Sequence, residues 1–331
     1  MPDSTPPITS ETAAAAPAGP SNLRQRVVSG LIGAAMLLSS VWFSPWTFGL
    51  FFAAVQAMML WEFYRMMRAG GYAPATWIGV IVGLAIFLVP HVFFGGYSYY
   101  AKLFGWPTGF TIYPELGGVP QAIPDYSPVV QSLFTNSLAS VSWLMASGVI
   151  LVGLALREIV LWPNRGQPFA NIGATITGWF YVSLPMAFLS LLAIGFHGYD
   201  YRRIFALLFL IWASDIGAYA AGKTFGKHKL APQISPGKTW EGWAGGFVLT
   251  LVVGGAVGFM LPDMTLAHRL VAAGVVAVFA PLGDLAESML KRSVGVKDSG
   301  SFMPGHGGLL DRFDAFLLVL PVLALLQLLA G

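Results

Sequence analysis

The chain has 331 residues, 56% of them apolar and only 10% charged. A water-soluble domain carries about 25% charged residues, so a soluble globular surface is excluded, and a mean hydropathy of +0.69 makes lipid the natural solvent. The absence of cysteine excludes disulfides, thiolate metal sites and a cysteine nucleophile. The five histidines (His91, His197, His228, His268, His306) form no zinc-like pair, so any metal is expected on carboxylates, which points to a hard ion such as magnesium.

Residues 1–22 are rich in Pro, Ala, Ser and Thr, contain no aromatic residue and read as a disordered tail. They show neither the basic start nor the apolar centre of a signal peptide. A spanning helix needs about 20 mostly apolar residues. Nine segments are predicted to span: 27–43, 46–64, 75–95, 139–161, 170–195, 203–222, 242–261, 269–290 and 310–330. The first two, separated by Ser44, Pro45 and Trp46, are expected to form a tight hairpin or one broken element. Pro185 should kink the fifth. Residues 96–138, rich in Tyr, Gly and Pro, read as a long extracytoplasmic loop at the interface. The expected architecture is an all-α integral membrane protein, a polytopic helical bundle. Residues 23–200 form its N-terminal membrane helices and residues 201–331 its C-terminal catalytic region.

With nine spans, one side of the membrane holds all Lys and Arg except Lys102, Arg202, Arg203 and Arg269, that is 14 of 18. The positive-inside rule makes that side cytoplasmic and places the C-terminus outside. Both long polar loops of the C-terminal half then face the compartment that holds nucleotides.

Charge within a spanning segment is costly and usually functional. Asp284, Glu287, Ser288 and Lys291 are spaced i, i+3, i+4, i+7, on one helical face, with Asp284 roughly 10 Å deeper than Lys291. Asp311 and Asp314 share a face at the start of the last segment. Clustered carboxylates repel unless a cation sits among them, and magnesium suits one or two carboxylates completed by phosphate and water. The alternative is that the acids only form salt bridges with Lys291, Arg292 and Arg312. Between the two segments, residues 291–308 combine Lys291, Arg292, Lys297 and Asp298 with glycines, and glycines let backbone N–H groups approach phosphate. Gly307 and Gly308 precede a helix N-terminus, which attracts anions. An ordinary basic loop against lipid headgroups explains the cations but not the glycines and acids.

The other polar loop follows the sixth segment. Asp215, Tyr219 and Gly222 share a face below Lys223, followed by Lys227, His228, Lys229 and then Ser235, Lys238, Thr239, Glu241. Gly217 to Thr224 fits the phosphate-loop pattern G-x-x-x-x-G-K-[ST], but it closes an apolar segment instead of joining a strand to a helix, and is read as a false match. Lys223 can still touch phosphate. His306, between glycines, is a candidate for phosphate contact, with proton transfer as the alternative.

The run Ser288-x-Leu290-Lys291-Arg292, Lys297-Asp298, Pro304-x-His306-Gly307-Gly308-x-x-Asp311-Arg312-x-Asp314 closely resembles the signature of phosphatidate cytidylyltransferases. Ser235-Pro236-x-Lys238-Thr239-x-Glu241-Gly242 and the Asp215 helix are similar to that family as well. The resemblance is strong over about residues 200–331 and departs from the pattern only at Met303. It implies that the phosphate of phosphatidic acid attacks the α-phosphorus of CTP, giving CDP-diacylglycerol and pyrophosphate. It also implies dependence on magnesium, a second cation such as potassium, and a homodimer. By position, Asp284, Asp311 and Asp314 become the metal carboxylates. Lys291, Arg292 and Lys297, with Asp298 and His306, become the catalytic set. Asp215, Lys223, Ser235, Lys238, Thr239, Glu241, Ser288 and Arg312 become substrate contacts. CTP, phosphatidic acid and membrane lipids are the expected partners; nucleic acid is not. The expected location is a bacterial inner membrane. Competing readings are a related enzyme acting on another lipid phosphate, such as a CDP-archaeol synthase or a polyprenol kinase, and a transporter, whose site normally lies near the midplane.

Overall fold

The computed structural model describes residues 21–92, 110–113, 121–124, 137–163, 166–195, 198–300, 302 and 307–330. The long helices are α1 (Ser21–Phe43), α2 (Pro45–Ala69), α3 (Thr76–Pro90) and α4 (Ser137–Leu161). They continue with α5 (Pro168–Gly178), α6 (Leu184–Ala193), α7 (Tyr201–Phe225), α8 (Trp240–Ala256), α9 (Leu266–Ser293) and α10 (Leu310–Ala330). Each segment predicted to span contains a helix over most of its described residues. Among the described residues, five stretches are long and apolar enough to cross a membrane: Pro45–Ala69, Pro168–Ala193, Tyr201–Phe225, Trp240–Phe259 and Leu266–Ser293. The protein is an all-α membrane protein with three small antiparallel strand pairs among the described residues. Of the predicted loop at 96–138, two paired strands, β1 (Phe110–Tyr113) and β2 (Gln121–Pro124), and the start of α4 are described. A second pair joins β3 (Ile194–Gly195) with β4 (Gly198–Tyr199). The predicted tail at 1–22 lies outside the described residues except for the first two residues of α1.

Local chemistry explains the breaks. Ser44 alone separates α1 from α2. Its hydroxyl accepts from Thr47 N while Thr47 Oγ1 accepts from Ser44 N, and Pro45 opens the helix, a reciprocal cap that ends one helix and starts the next. The junction is thus a capped break between two helices, within the two readings expected for it. The kink expected at Pro185 takes the form of a π-turn at Trp179–Ser183, between α5 and α6. Proline has no N–H to return to the carbonyl four residues back, and a widened turn absorbs that mismatch. In α9, Pro281 likewise deprives Ala277 O of its helical donor, and Trp243 Nε1 of α8 supplies one at 2.9 Å. Such rescue by a neighbouring helix lets proline persist in a membrane helix.

Helices α7 and α8 pack with their backbones almost in contact. Gly242, Gly246, Thr250 and Gly254 form a buried stripe with a four-residue repeat on α8. A Cβ on Gly246 would lie 2.7 Å from Ser214 O, and one on Gly217 would lie 2.7 Å from Gly245 O. Small residues at this spacing permit the close approach on which helix pairing in lipid depends. Gly217, read by pattern as the start of a phosphate loop, is thus a packing residue inside continuous helix, which bears out the false-match reading. Among the described residues, the larger of two buried hydrophobic clusters joins both halves of the chain. Phe48, Phe52, Met59 and Phe63 of α2 lie with Met186 and Leu189 of α6, Ile204 of α7, and Phe313, Phe316 and Leu320 of α10. Phe52 meets Phe313 edge-on at 6.1 Å. Helix α2 therefore runs alongside α10, which matters for the site.

Candidate active site

Helices α9 and α10 touch where Gly283 faces the backbone of α10; a Cβ there would lie 2.9 Å from Ala315 Cα. That contact sets Asp284 beside Asp314. Two turns further along α9, Lys291 Nζ reaches Glu287 Oε2 at 3.1 Å and Asp311 Oδ1 at 2.6 Å, so the lysine links the two helices. The second oxygen of Asp311 accepts from Gly308 N at 2.9 Å and Ser299 N at 3.2 Å. The turn that presents Gly308 has Gly307 at φ +84°, a conformation that glycine adopts without a Cβ penalty.

The second wall comes from the loop after α7. It folds into a hairpin of β5 (Lys229–Ala231) and β6 (Ser235–Thr239), and the end of β6 carries Lys238 to Asp284 Oδ2 at 2.7 Å and Pro281 O at 3.1 Å. Ser288 Oγ donates to the other Asp284 oxygen at 3.2 Å. Asp215 of α7 lies within electrostatic reach of both Asp284 and Lys238, and Asp314 within reach of Asp215, Asp284 and Lys238. One end of the bundle thus holds two connected groups: Asp215, Asp284 and Asp314 around Lys238, and Glu287 and Asp311 around Lys291.

Other expected residues have different surroundings. Thr239 caps α8 by accepting from Gly242 N at 3.1 Å. Glu241 holds the hairpin in place, accepting from Lys227 N at 3.1 Å and binding His228 Nδ1 at 2.6 Å. Ser235 sits in β6, opposite Ala231. Lys223 lies over the Tyr219 ring, 5.6 Å from its centroid. Arg292, Lys297, Asp298 and Arg312 are exposed along the rim. His306 lies outside the described residues. Of the salt-bridge alternative, Lys291 is paired as it anticipates, while Asp284 takes Lys238, which it did not include.

Three residues at the site were not anticipated. Glu62 of α2 is buried, and its Oε2 accepts from Leu310 N at 2.8 Å and from Ser299 Oγ at 3.3 Å. Ser299, itself buried, supplies that hydroxyl. Tyr181, in the π-turn, has a buried hydroxyl without a hydrogen-bond partner among the described residues and lies within electrostatic reach of Glu287, Asp314 and Asp284. Glu62 carried a usable signal, being an acid inside an apolar segment. Tyr181 carried none, because an aromatic residue in a membrane helix is ordinary.

Among the described residues, no three His, Cys, Asp or Glu side chains converge closely enough to hold a metal on their own. The donor set instead offers neighbouring carboxylates, Asp284 and Asp314, with Asp215 nearby. Such a set fits a hard divalent ion that takes one or two carboxylates and completes its shell with phosphate oxygens and water. Asp311, by contrast, has both oxygens engaged by Lys291 and by backbone N–H groups.

The sequence pattern of the Cytidylyltransferase family matches residues 24–329. Among curated proteins, the chain is 31% identical over 312 residues to the phosphatidate cytidylyltransferase of Haemophilus influenzae, covering 90% of this chain and 96% of that one. It is 32% identical over 306 residues to the enzyme of that name from Bacillus subtilis, covering 91% and 96%. Over 125 residues it is 49% identical to the enzyme of that name from Staphylococcus saprophyticus, covering 37% and 47%. With a family match that runs nearly end to end and relatives aligned over almost their whole lengths, this chain belongs to the cytidylyltransferase family.

Proposed function

We propose that this protein transfers CMP from CTP to phosphatidic acid, forming CDP-diacylglycerol and pyrophosphate. The observation that carries this reading is the pair of acid-bound lysines, Lys238 on Asp284 and Lys291 on Glu287 and Asp311, at one end of an apolar bundle. A lipid headgroup can reach such a site sideways while a nucleotide arrives from water. A phosphate oxygen of phosphatidic acid attacks the α-phosphorus, and the bond to the oxygen bridging the α- and β-phosphates breaks, its electron pair leaving with pyrophosphate. The nucleophile is already an anion, so the barrier is chiefly the approach of two highly charged phosphates, and preorganised cations lower it. Lys238 and Lys291 are held in place by their acids, and Arg292 and Lys297 extend the positive rim towards water. Asp284 and Asp314, with Asp215 beside them, are the proposed magnesium carboxylates, Asp311 anchors Lys291 at the helix start, and potassium is the proposed second cation. Bound magnesium supplies charge neutralisation of the triphosphate and of the leaving pyrophosphate.

The proposed setting is a bacterial inner membrane, with nine spans, the site facing the cytoplasm, and a homodimer as the assembly. The hydrogen bonds from Ser299 and Leu310 to Glu62 support this orientation, because they bring the Arg65 and Arg68 end of α2 to the lysine-rich end of α9 and α10. The test is an assay of purified protein in detergent with labelled CTP. The expected result is a labelled CDP-lipid that needs both phosphatidic acid and magnesium. No such product with either diacyl or ether-linked phosphatidates overturns the reading, whereas product from the ether-linked lipid alone moves the substrate to another lipid phosphate.

A further inference from the structure

We propose that Glu62 is a positioning residue for the reaction: from the N-terminal half of the chain, it fixes the loop and helix start that carry Asp311. The inference rests on the function proposed above and deepens it. Glu62 lies on α2, 237 positions from Ser299 and 248 from Leu310, yet its carboxylate binds both the middle of the loop between α9 and α10 and the first residue of α10. Oε2 accepts from Leu310 N, the first residue of α10, at 2.8 Å, and from Ser299 Oγ at 3.3 Å. Ser299 also donates its backbone N–H to Asp311 at 3.2 Å, so one residue bridges the two carboxylates. Packing leaves the Glu62 side chain little freedom. Only 2% of the residue is exposed, and Gly300 and Gly308 lie so close that a Cβ on either would collide with the carboxylate. Glycine is needed at both positions because the loop backbone passes directly over the acid.

The physical reason for burying an acid here is geometric. The first N–H groups of a helix lack helical partners, and Glu62 satisfies one of them from a different helix. This pins the start of α10 to α2 in rotation and height. Asp311 follows Leu310 directly, and Lys291 is held by Asp311. A shift of the helix start therefore moves the carboxylate and the lysine together. A misplacement of about 1 Å in groups that meet a transition state costs on the order of 100-fold in rate.

The experiment compares Glu62→Gln, Glu62→Asp and Glu62→Ala in purified detergent-solubilised protein, with kcat and KM for CTP measured at equal amounts of monodisperse protein. Gln keeps the length and one acceptor oxygen; Asp keeps the charge but loses reach by one methylene. Expected is near-normal kcat for Gln and a loss of about 10- to 100-fold for Asp and Ala, with KM for CTP changed less than threefold. Wild-type kcat in all three variants overturns the proposal. So does the reverse order, with Asp active and Gln inactive, which would assign Glu62 a direct charge role. If Glu62→Ala does not fold, the Gln and Asp comparison decides. Wild-type protein that makes no CDP-lipid refutes the proposed function itself, a result distinct from any ranking of the variants.

Discussion

Lys291 is the residue whose removal the structure makes most informative. Its side chain is 12% exposed, and it binds Glu287, 1% exposed, and Asp311, 13% exposed. In Lys291→Met the methylene stem is largely kept and the charge is lost. Asp311 retains two backbone donors, Gly308 N and Ser299 N. Glu287 loses its lysine donor and keeps only the neighbouring Asp311 carboxylate, while its other oxygen is buried without a donor among the described residues. The cost therefore falls on Glu287. Removing one member of a buried pair typically destabilises by about 3–5 kcal/mol, because a charge is left buried without compensation. The expected result is a lower unfolding midpoint in detergent together with loss of CDP-lipid formation. Adding Glu287→Gln to Lys291→Met removes the stranded charge and should recover a large part of the stability but none of the activity. The measurement is a double-mutant cycle on thermal unfolding, read beside turnover. An unchanged midpoint in Lys291→Met, or strictly additive losses in the double variant, would refute the reasoning.

Three further outcomes are expected. Asp311→Asn should lower turnover by about 100-fold or more while expression and detergent stability stay near normal; simple unfolding would instead favour a purely structural role. Trp243→Phe should cost about 1 kcal/mol of stability by leaving Ala277 O without its donor, and Pro281→Ala, which restores a helical N–H at that carbonyl, should cancel the loss; an unchanged deficit in the double variant would show that the Trp243 bond is not what offsets the proline. A C-terminal tag should react with a membrane-impermeant reagent added outside intact cells, whereas labelling only after the inner membrane is opened would refute the nine-span topology or its orientation.

The sequence by itself determined the solvent, the helices and most of the chemistry. Few charges and long apolar runs leave lipid as the only medium, and in lipid a backbone must satisfy itself within helices. The spacing of Asp284, Glu287, Ser288 and Lys291 placed them on one face because a helix has a fixed period. Local bonds also made the Ser44 break legible in outline, since capping is decided within four residues. Tertiary structure decided the pairings. Lys238 could be read as a phosphate contact but not as the partner of Asp284, because that ion pair depends on how the β5–β6 hairpin folds over α9. The three acids expected around one ion sort instead into Asp284 and Asp314, beside Asp215, and Asp311, beside Lys291; Gly283 sets that division by fixing where α9 crosses α10. The contribution of α2 was the least visible. Nothing local to Glu62 says which loop it meets, since its bonds to Ser299 and Leu310 exist only once the aromatic core has laid α2 against α10.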